Sequence, residues 1–169
     1  MKRPYVLARA AHDVQLDVPA AALDIPRWLF GLSDIGYQRC ARGHLGAGAG
    51  KAEDGRRTSV NVESVGGHLA VQHYVEEIAE PAHLKLVSER SDIWIFHLIH
   101  VRPRVTWEMT LIPSSERACT FHHEVCIEHP SLFIRIASFL CLVPLFVRRH
   151  DDEEAILFAA SLASTAPRT

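Results

Sequence analysis

The sequence predicts an α+β chain: a curved antiparallel sheet of six to seven strands, two short helices after the first strand, and a C-terminal helix covering the concave face. Three observations carry that prediction. From Gly43 to Glu128 apolar and polar residues alternate in short runs. The breaks carry turn chemistry, at Glu53-Asp54-Gly55, Gly66-Gly67, Glu80-Pro81 and Pro113-Ser114-Ser115. Connections this short join antiparallel neighbours, whereas the flanks of this region have helical spacing.

The elements follow in order. From His12, "HDVQLDVP" sets Val14, Leu16 and Val18 against polar neighbours, a strand ended by Pro19. Leu23, Trp28, Leu32 and Ile35 are then helically spaced, and Gly31 with Ser33-Asp34 marks a stop and a fresh N-cap, hence two short helices. Strands are predicted over Gly43–Ala52, Arg57–Val65, His68–Ile78, His83–Arg90, Ile93–Val101, Arg104–Ile112 and Ala118–Glu128. Ser131–Val147 is helical and strongly apolar; "RRHDDEE" is polar all round and reads as a break; a last helix runs through "EEAILFAASLA".

Composition bounds the function. With 169 residues, 48% of them hydrophobic, the chain is predicted to be one domain over 1–169, ordered over about 12–165. A net charge of −2 and no long Lys/Arg run argue against nucleic acid as a partner. The start, "MKRPYVLARAAHDVQ", reaches charge before an apolar leader core could form, and Cys40, Cys119, Cys126 and Cys141 form no CxxC. A cytoplasmic setting with free, buried thiols is expected. Ser131–Val147 holds Arg135 and Pro144 and falls short of the ~20 apolar residues a membrane span needs.

Order and local wording resemble the helix-grip (SRPBCC, START-like) superfamily, which includes birch-pollen-allergen-like, lipid-transport and polyketide cyclase/dehydrase proteins. "VQLDVPAAAL" is similar to its opening strand, and "YVEEIAEPAHLKLVSE" to its strand, acidic-Pro turn and strand. "VTWEMTLIPSSERACTFHHEVCI" resembles the last hairpin, and "EEAILFAASLA" the closing helix. Asp92–Pro103 and Ser131–Val147 add length that the pattern lacks. The resemblance implies an apolar cavity between sheet and last helix that takes a hydrophobic small molecule or lipid, with cyclisation or dehydration catalysed inside it in some members. Fold alone does not choose among these.

"HHEVCIEH" looks like a metal or acid–base cluster, but strand alternation divides it. His123 falls with Cys119, Phe121, Val125 and Ile127, and His122 and Glu124 fall on the opposite face, about 7 Å apart at a rise of ~3.3–3.4 Å per residue. The spacing is neither HExxH nor a deaminase pattern, so no metal and no other cofactor is expected. The facing strand presents Val105, Trp107, Met109 and Leu111. His73 and His97 also sit among apolar neighbours on their strands, so His73, His97 and His123 are read as polar points of the cavity or as hydrogen-bonded core residues. An imidazole there, with a pKa near ~6.5, could also move protons. The candidate ligand-binding set is His73, His97, Trp107, Met109, Phe121, His123 and Phe158.

"GHLGAGAGK" fails the phosphate-loop pattern, and its alternate glycines mean either room for a ligand or a weak edge strand. Three functional classes stay open: a hydrophobic-ligand binder, an enzyme using a cavity His as acid–base, and a protein- or membrane-surface module through Ser131–Val147. That apolar segment needs cover, expected to be intramolecular, with a homodimer as the next choice.

Overall fold

The computed structural model describes residues 4–167. β1 (Tyr5–Leu16) passes through a 3-10 turn (Ala20–Ala22) into α1 (Ile25–Gly31) and α2 (Asp34–Gln38). β2 (His44–Lys51), β3 (Arg57–Val65), β4 (His68–Glu80) and β5 (His83–Ser88) follow. A small hairpin, β6 (Asp92–Ile95) and β7 (Ile99–Val101), precedes β8 (Arg104–Ser115) and β9 (Ala118–His129). α3 (Leu132–Leu140) and α4 (Val143–Ala163) end the chain.

All strand pairs are antiparallel, in the order β1-β9-β8-β5-β4-β3-β2, with β6 and β7 attached beside β4. The sheet therefore has nine strands rather than six or seven. Two elements differ from expectation, and the second of them adds a strand. β1 begins at Tyr5, seven residues before the expected His12, because β9 pairs with it as far as Tyr5↔His129. Ile93–Val101, expected as one strand, folds back at Phe96 and His97, both with positive φ. β4 is longer than β5, so its second half pairs with β5 and its first half is left for β6.

Both short helices carry N-caps, the second at Ser33 as the sequence implies. Asp24 Oδ1 accepts from Arg27 N at 2.9 Å, and Ser33 Oγ accepts from Gly36 N at 3.0 Å. Trp28 carries α1 onto α4, donating its Nε1–H to Ser161 Oγ at 3.0 Å, its ring edge-on to Phe158. Phe158 in turn meets Trp107 of β8 at 5.6 Å between centroids. Gly66 turns β3 into β4 with φ +59°, and a Cβ there would lie 2.2 Å from the Phe146 ring, so only glycine lets α4 approach this turn.

The C-terminal region corrects two expectations. "RRHDDEE" is not a break: α4 runs unbroken through it. Its buried residues, Asp151, Glu154, Ala155, Phe158, Ala159 and Leu162, recur at helical spacing, so acids occupy two positions of the inward stripe. Polarity all round the helix arose because one face buries charge. The second correction is α3, where Ser138 alone is buried. Phe133, Phe139 and Leu140 are 76%, 73% and 74% exposed, so no intramolecular cover exists for them among the described residues. No helix of the described residues is long and apolar enough to cross a membrane. Of the four free thiols, Cys40 and Cys119 are buried, whereas Cys126 and Cys141 are half-exposed.

Candidate functional site

The hairpin β8–β9 sets the site. Its register pairs Met109 with His123 and Trp107 with Val125, and alternation divides the histidines as the sequence implies. His122 points away from α4 and holds Asp13 at 2.6 Å. His123 points inward and is fully buried together with Met109, Phe121 and Phe158, with Trp107 nearly so.

His123 is held from two sides. Its Nδ1 lies 2.8 Å from Asp151 Oδ1 on α4, and its Nε2 receives the indole N–H of Trp107 at 2.6 Å. Glu154 Oε2 stands 3.6 Å from the same Nε2. Burial opposes protonation of this ring, but the Asp151 hydrogen bond and the charges of Glu154, Asp151 and Glu63 outweigh it and raise the pKa. The Trp107 N–H needs a lone pair on Nε2, which only the neutral, Nδ1-protonated tautomer offers. The geometry is therefore that of a neutral imidazole oriented by a carboxylate. Protonating it would require Trp107 to give way.

Beside it lies a second buried group from β2, β3, α2 and α4. His44 directs Nδ1 to the Tyr37 carbonyl at 2.8 Å and Nε2 to Glu154 Oε1 at 3.0 Å, while its ring stacks on Tyr37 at 3.9 Å. Both ring nitrogens face acceptors, so His44 is an imidazolium paired with the Glu154 carboxylate. Its pKa is raised: burial acts against the charge, and Glu154 and Glu63 overcome it. For Glu154, burial acts upward, but the His44 hydrogen bond and neighbouring imidazoles bring the carboxyl down to about 2. Tyr37 donates its hydroxyl to Glu63, and burial, followed by the Glu63 charge, raises its pKa well above the ordinary phenol value. Gln72 donates to Glu63 Oε2 at 3.3 Å, and His150 Nε2 lies 3.7 Å from that oxygen without a hydrogen-bond partner.

Not every expected residue is here. Trp107, Met109, Phe121, His123 and Phe158 converge under α4. His73 does not: β4 buries His68, Ala70, Gln72 and Tyr74, and turns His73 outward. There it lines an open depression of about 440 Å³ with Arg56, Val75, Glu77, Val87, Glu89 and Arg90. The alternation was right and the side was wrong, because β4 carries its aliphatic residues on the outer face and polar ones inside. His97 sits exposed in the β6–β7 turn.

Residue patterning alone does not single out Tyr37, His44, Glu63, His150, Asp151 and Glu154. One local signal existed: His150, Asp151 and Glu154 fall at i, i+1 and i+4 of "HDDEE", within one turn or so of a helix. The β2 and β3 partners have no such signal, since His44 and Glu154 lie 110 residues apart.

The interior is closely filled. Among the described residues, small clefts reach into it. One of about 20 Å³ is bounded by Leu29, Leu32, Tyr37, Ala47, Gly48, Ala49, Ser59 and Asn61, so the small residues of "GAGAG" do leave room. Another of about 30 Å³ lies beneath α3, between Ser138, Val143, His68 and Ile127. An open groove of about 610 Å³ separates α1 from the end of α4, at Arg27, Trp28, Leu32, Ser161 and Thr165.

The sequence matches no family model and no curated protein. Its structure is similar to solved ones. A protein from Thermus thermophilus superposes with a TM-score of 0.67 at 14% identity, covering 94% of this chain and 99% of that one. An aromatase/cyclase from a Streptomyces species gives 0.63 at 10% identity, covering 92% and 93%. A START superfamily protein from Mycobacterium smegmatis gives 0.56 at 11%, covering 92% and 97%. The chain has the START-like helix-grip fold.

Proposed function

We propose that this protein binds a hydrophobic small molecule or lipid between the sheet and α4, with Trp107, Met109, Phe121 and Phe158 as apolar wall and His123 as a polar point. One observation carries the reading: an otherwise apolar interior, lined by these side chains, holds a buried layer of polar groups that the packing of a helix on a sheet does not require. Spaces of 20 and 30 Å³ hold no such ligand, so entry is coupled to movement of a covering element. α3 is the candidate, since it buries little and joins α4 through Leu142 in a left-handed conformation with no side-chain cap. Native mass spectrometry of the freshly purified chain tests this. A co-purified lipid or aromatic compound supports it. A bare chain whose melting temperature is unmoved by fatty acids, sterols and polycyclic phenols ends it.

A catalytic reading in the same cavity is favoured by His123, a neutral imidazole with a carboxylate on Nδ1, the arrangement of an oriented general base. A cyclisation or dehydration needs its substrate to displace the Trp107 N–H from Nε2. If His123→Ala keeps ligand binding and abolishes turnover of a cyclisable polyketide-like substrate, the protein is an enzyme. If no such substrate turns over in wild type, it is a carrier.

A further inference from the structure

We propose that His44, Glu63, His150 and Glu154 form a binding site for a divalent first-row transition-metal ion, with zinc as the ion the ligand set fits best. This goes beyond the binding reading above and stands or falls separately from it.

The four residues come from β2, β3 and α4, and each offers one ligand atom, all within 4.8 Å of one another. Metal–nitrogen and metal–oxygen bonds of about 2.0–2.2 Å put the ligand atoms of a shell roughly 3–4 Å apart. His44 Nε2 and Glu154 Oε1 are already at 3.0 Å, and His150 Nε2 and Glu63 Oε2 at 3.7 Å. Forming the shell therefore needs small side-chain adjustments and no backbone change.

The surroundings match what metal ligands require. A ligating histidine commonly gives its other N–H to a backbone carbonyl or carboxylate, which fixes the tautomer. His44 does this with the Tyr37 carbonyl, leaving Nε2 toward the site, and its stacking on Tyr37 fixes the ring plane. Glu63 is oriented by the Tyr37 hydroxyl and by Gln72. His150 Nε2 is buried, has no hydrogen-bond partner and faces Glu63, although a buried ring nitrogen ordinarily finds a partner.

Charge gives a further reason. Glu63, Asp151 and Glu154 are buried within one interior, and His44 is the imidazolium that the geometry requires. A divalent ion between two carboxylates and two neutral imidazoles makes a neutral centre. On binding, His44 gives its Nε2 proton to solvent and the ion takes that proton's place opposite Glu154. Asp151 and His123 stand beside this shell, so Glu154 links it to the imidazole proposed for the ligand cavity. His150, whose side chain keeps 12% of its exposure, lies on the entry side.

The test uses the full chain, stripped with a chelator and desalted, and Zn²⁺ alone as the probe. One equivalent should bind in competition with a chromophoric chelator, release a proton and raise the melting temperature. Co²⁺ should give visible d–d bands of a nitrogen–oxygen site. The His150 side chain is largely buried and stands edge-on to His44, so His150→Ala should lower the metal-free melting temperature somewhat; in the protein that remains folded it should weaken Zn²⁺ by about 100-fold or more, at least what outer-shell changes cost. If the alanine variant does not fold, His150→Gln replaces it. His122→Ala, on the outer face, should change nothing. Absence of stoichiometric uptake overturns the proposal. So does uptake that survives loss of His150, or that is lost with His122 instead.

Discussion

Beneath α4, the side chains of Tyr37, His44, Glu63, His123, Asp151 and Glu154 are packed away from water, whereas a few residues earlier the outward face of α3 presents Phe133, Ile136, Phe139 and Leu140 to it. The two regions are neighbours in the chain and opposite in chemistry. Each costs free energy in the isolated molecule. Burying a charge costs several kcal/mol before its partner compensates, and exposed apolar area forgoes roughly 25 cal/mol per Å². Hydrophobicity alone would place them the other way round. Position relative to the sheet decides instead: α4 packs on β1, β9 and β3, whereas α3 rests on β1 and β9 with most of its surface uncovered. Departures of this kind concentrate at functional sites, which makes the buried layer and the outward face of α3 the two candidates.

The sharpest way to break the comparison is to remove the acid at the centre of the buried layer. Glu154→Ala leaves the His44 imidazolium without its partner at 3.0 Å, and removing one member of a buried pair costs about 3–5 kcal/mol. Urea unfolding should register most of that loss. A change under about 1 kcal/mol would mean that the layer is loosely packed or hydrated.

Acid and base should act on that pair from opposite sides. The Glu154 carboxyl is depressed from 4.5 to about 2, so its stabilisation is present above 4.5 and fades as pH falls toward 2. His44 is raised above 6.5, so its stabilisation is full below 6.5 and fades as pH rises through the raised value. With chelator present, the stability difference between wild type and Glu154→Gln should peak between about 4.5 and 6.5 and shrink on both sides. The Glu63, His123, His150 and Asp151 groups that face the pair are common to both proteins, which is why the difference is measured. A flat difference would show that Glu154 is not ionised in the folded state.

Trp107→Phe is a smaller perturbation. It keeps the aromatic packing against Tyr74 and Phe158 and removes the one N–H on His123 Nε2. A buried acceptor left unpaired costs about 1–3 kcal/mol. Freed of that donor, Nε2 can take a proton, so the His123 pKa should rise, as followed by imidazole NMR. An unchanged titration would remove Trp107 from the control of this ring.

Much of this arrangement was legible from periodicity. The β8–β9 hairpin, the separation of His122 from His123, the cap at Ser33, and the helix over the sheet all follow local rules. What local rules lacked was a choice of side. On β4 the aliphatic residues Leu69, Val71 and Val75 mark the outer face, because the inner one is occupied by Gln72, which serves the polar layer, and by Tyr74, which packs on Trp107. The same layer hid α4: with Asp151 and Glu154 inward and Arg148, Arg149 and Glu153 less buried, no apolar stripe crosses residues 148–154. Pairings such as His44 with Glu154 are properties of topology, and a one-dimensional pattern does not contain them.

The smallest effect on stability should come from the other member of the comparison, and it has the clearest functional readout. Phe139 is 73% exposed and packs against nothing that its loss would leave open. Phe139→Glu should therefore move the unfolding free energy by no more than about 0.5 kcal/mol, as exposed substitutions do. The segment was expected to be core, and core would lose several times more. What the substitution should change is association. A carboxylate amid Phe133, Ile136 and Leu140 has to be desolvated by anything that covers this face. Sedimentation or light scattering then distinguishes the occupants: a dimer reverting to monomer means a second copy covers α3, and lost binding to liposomes means a lipid surface does. If stability, oligomeric state and liposome binding all stay as in wild type, α3 is not a docking face, and its role reduces to covering the small cavity bounded by Ser138 and Val143.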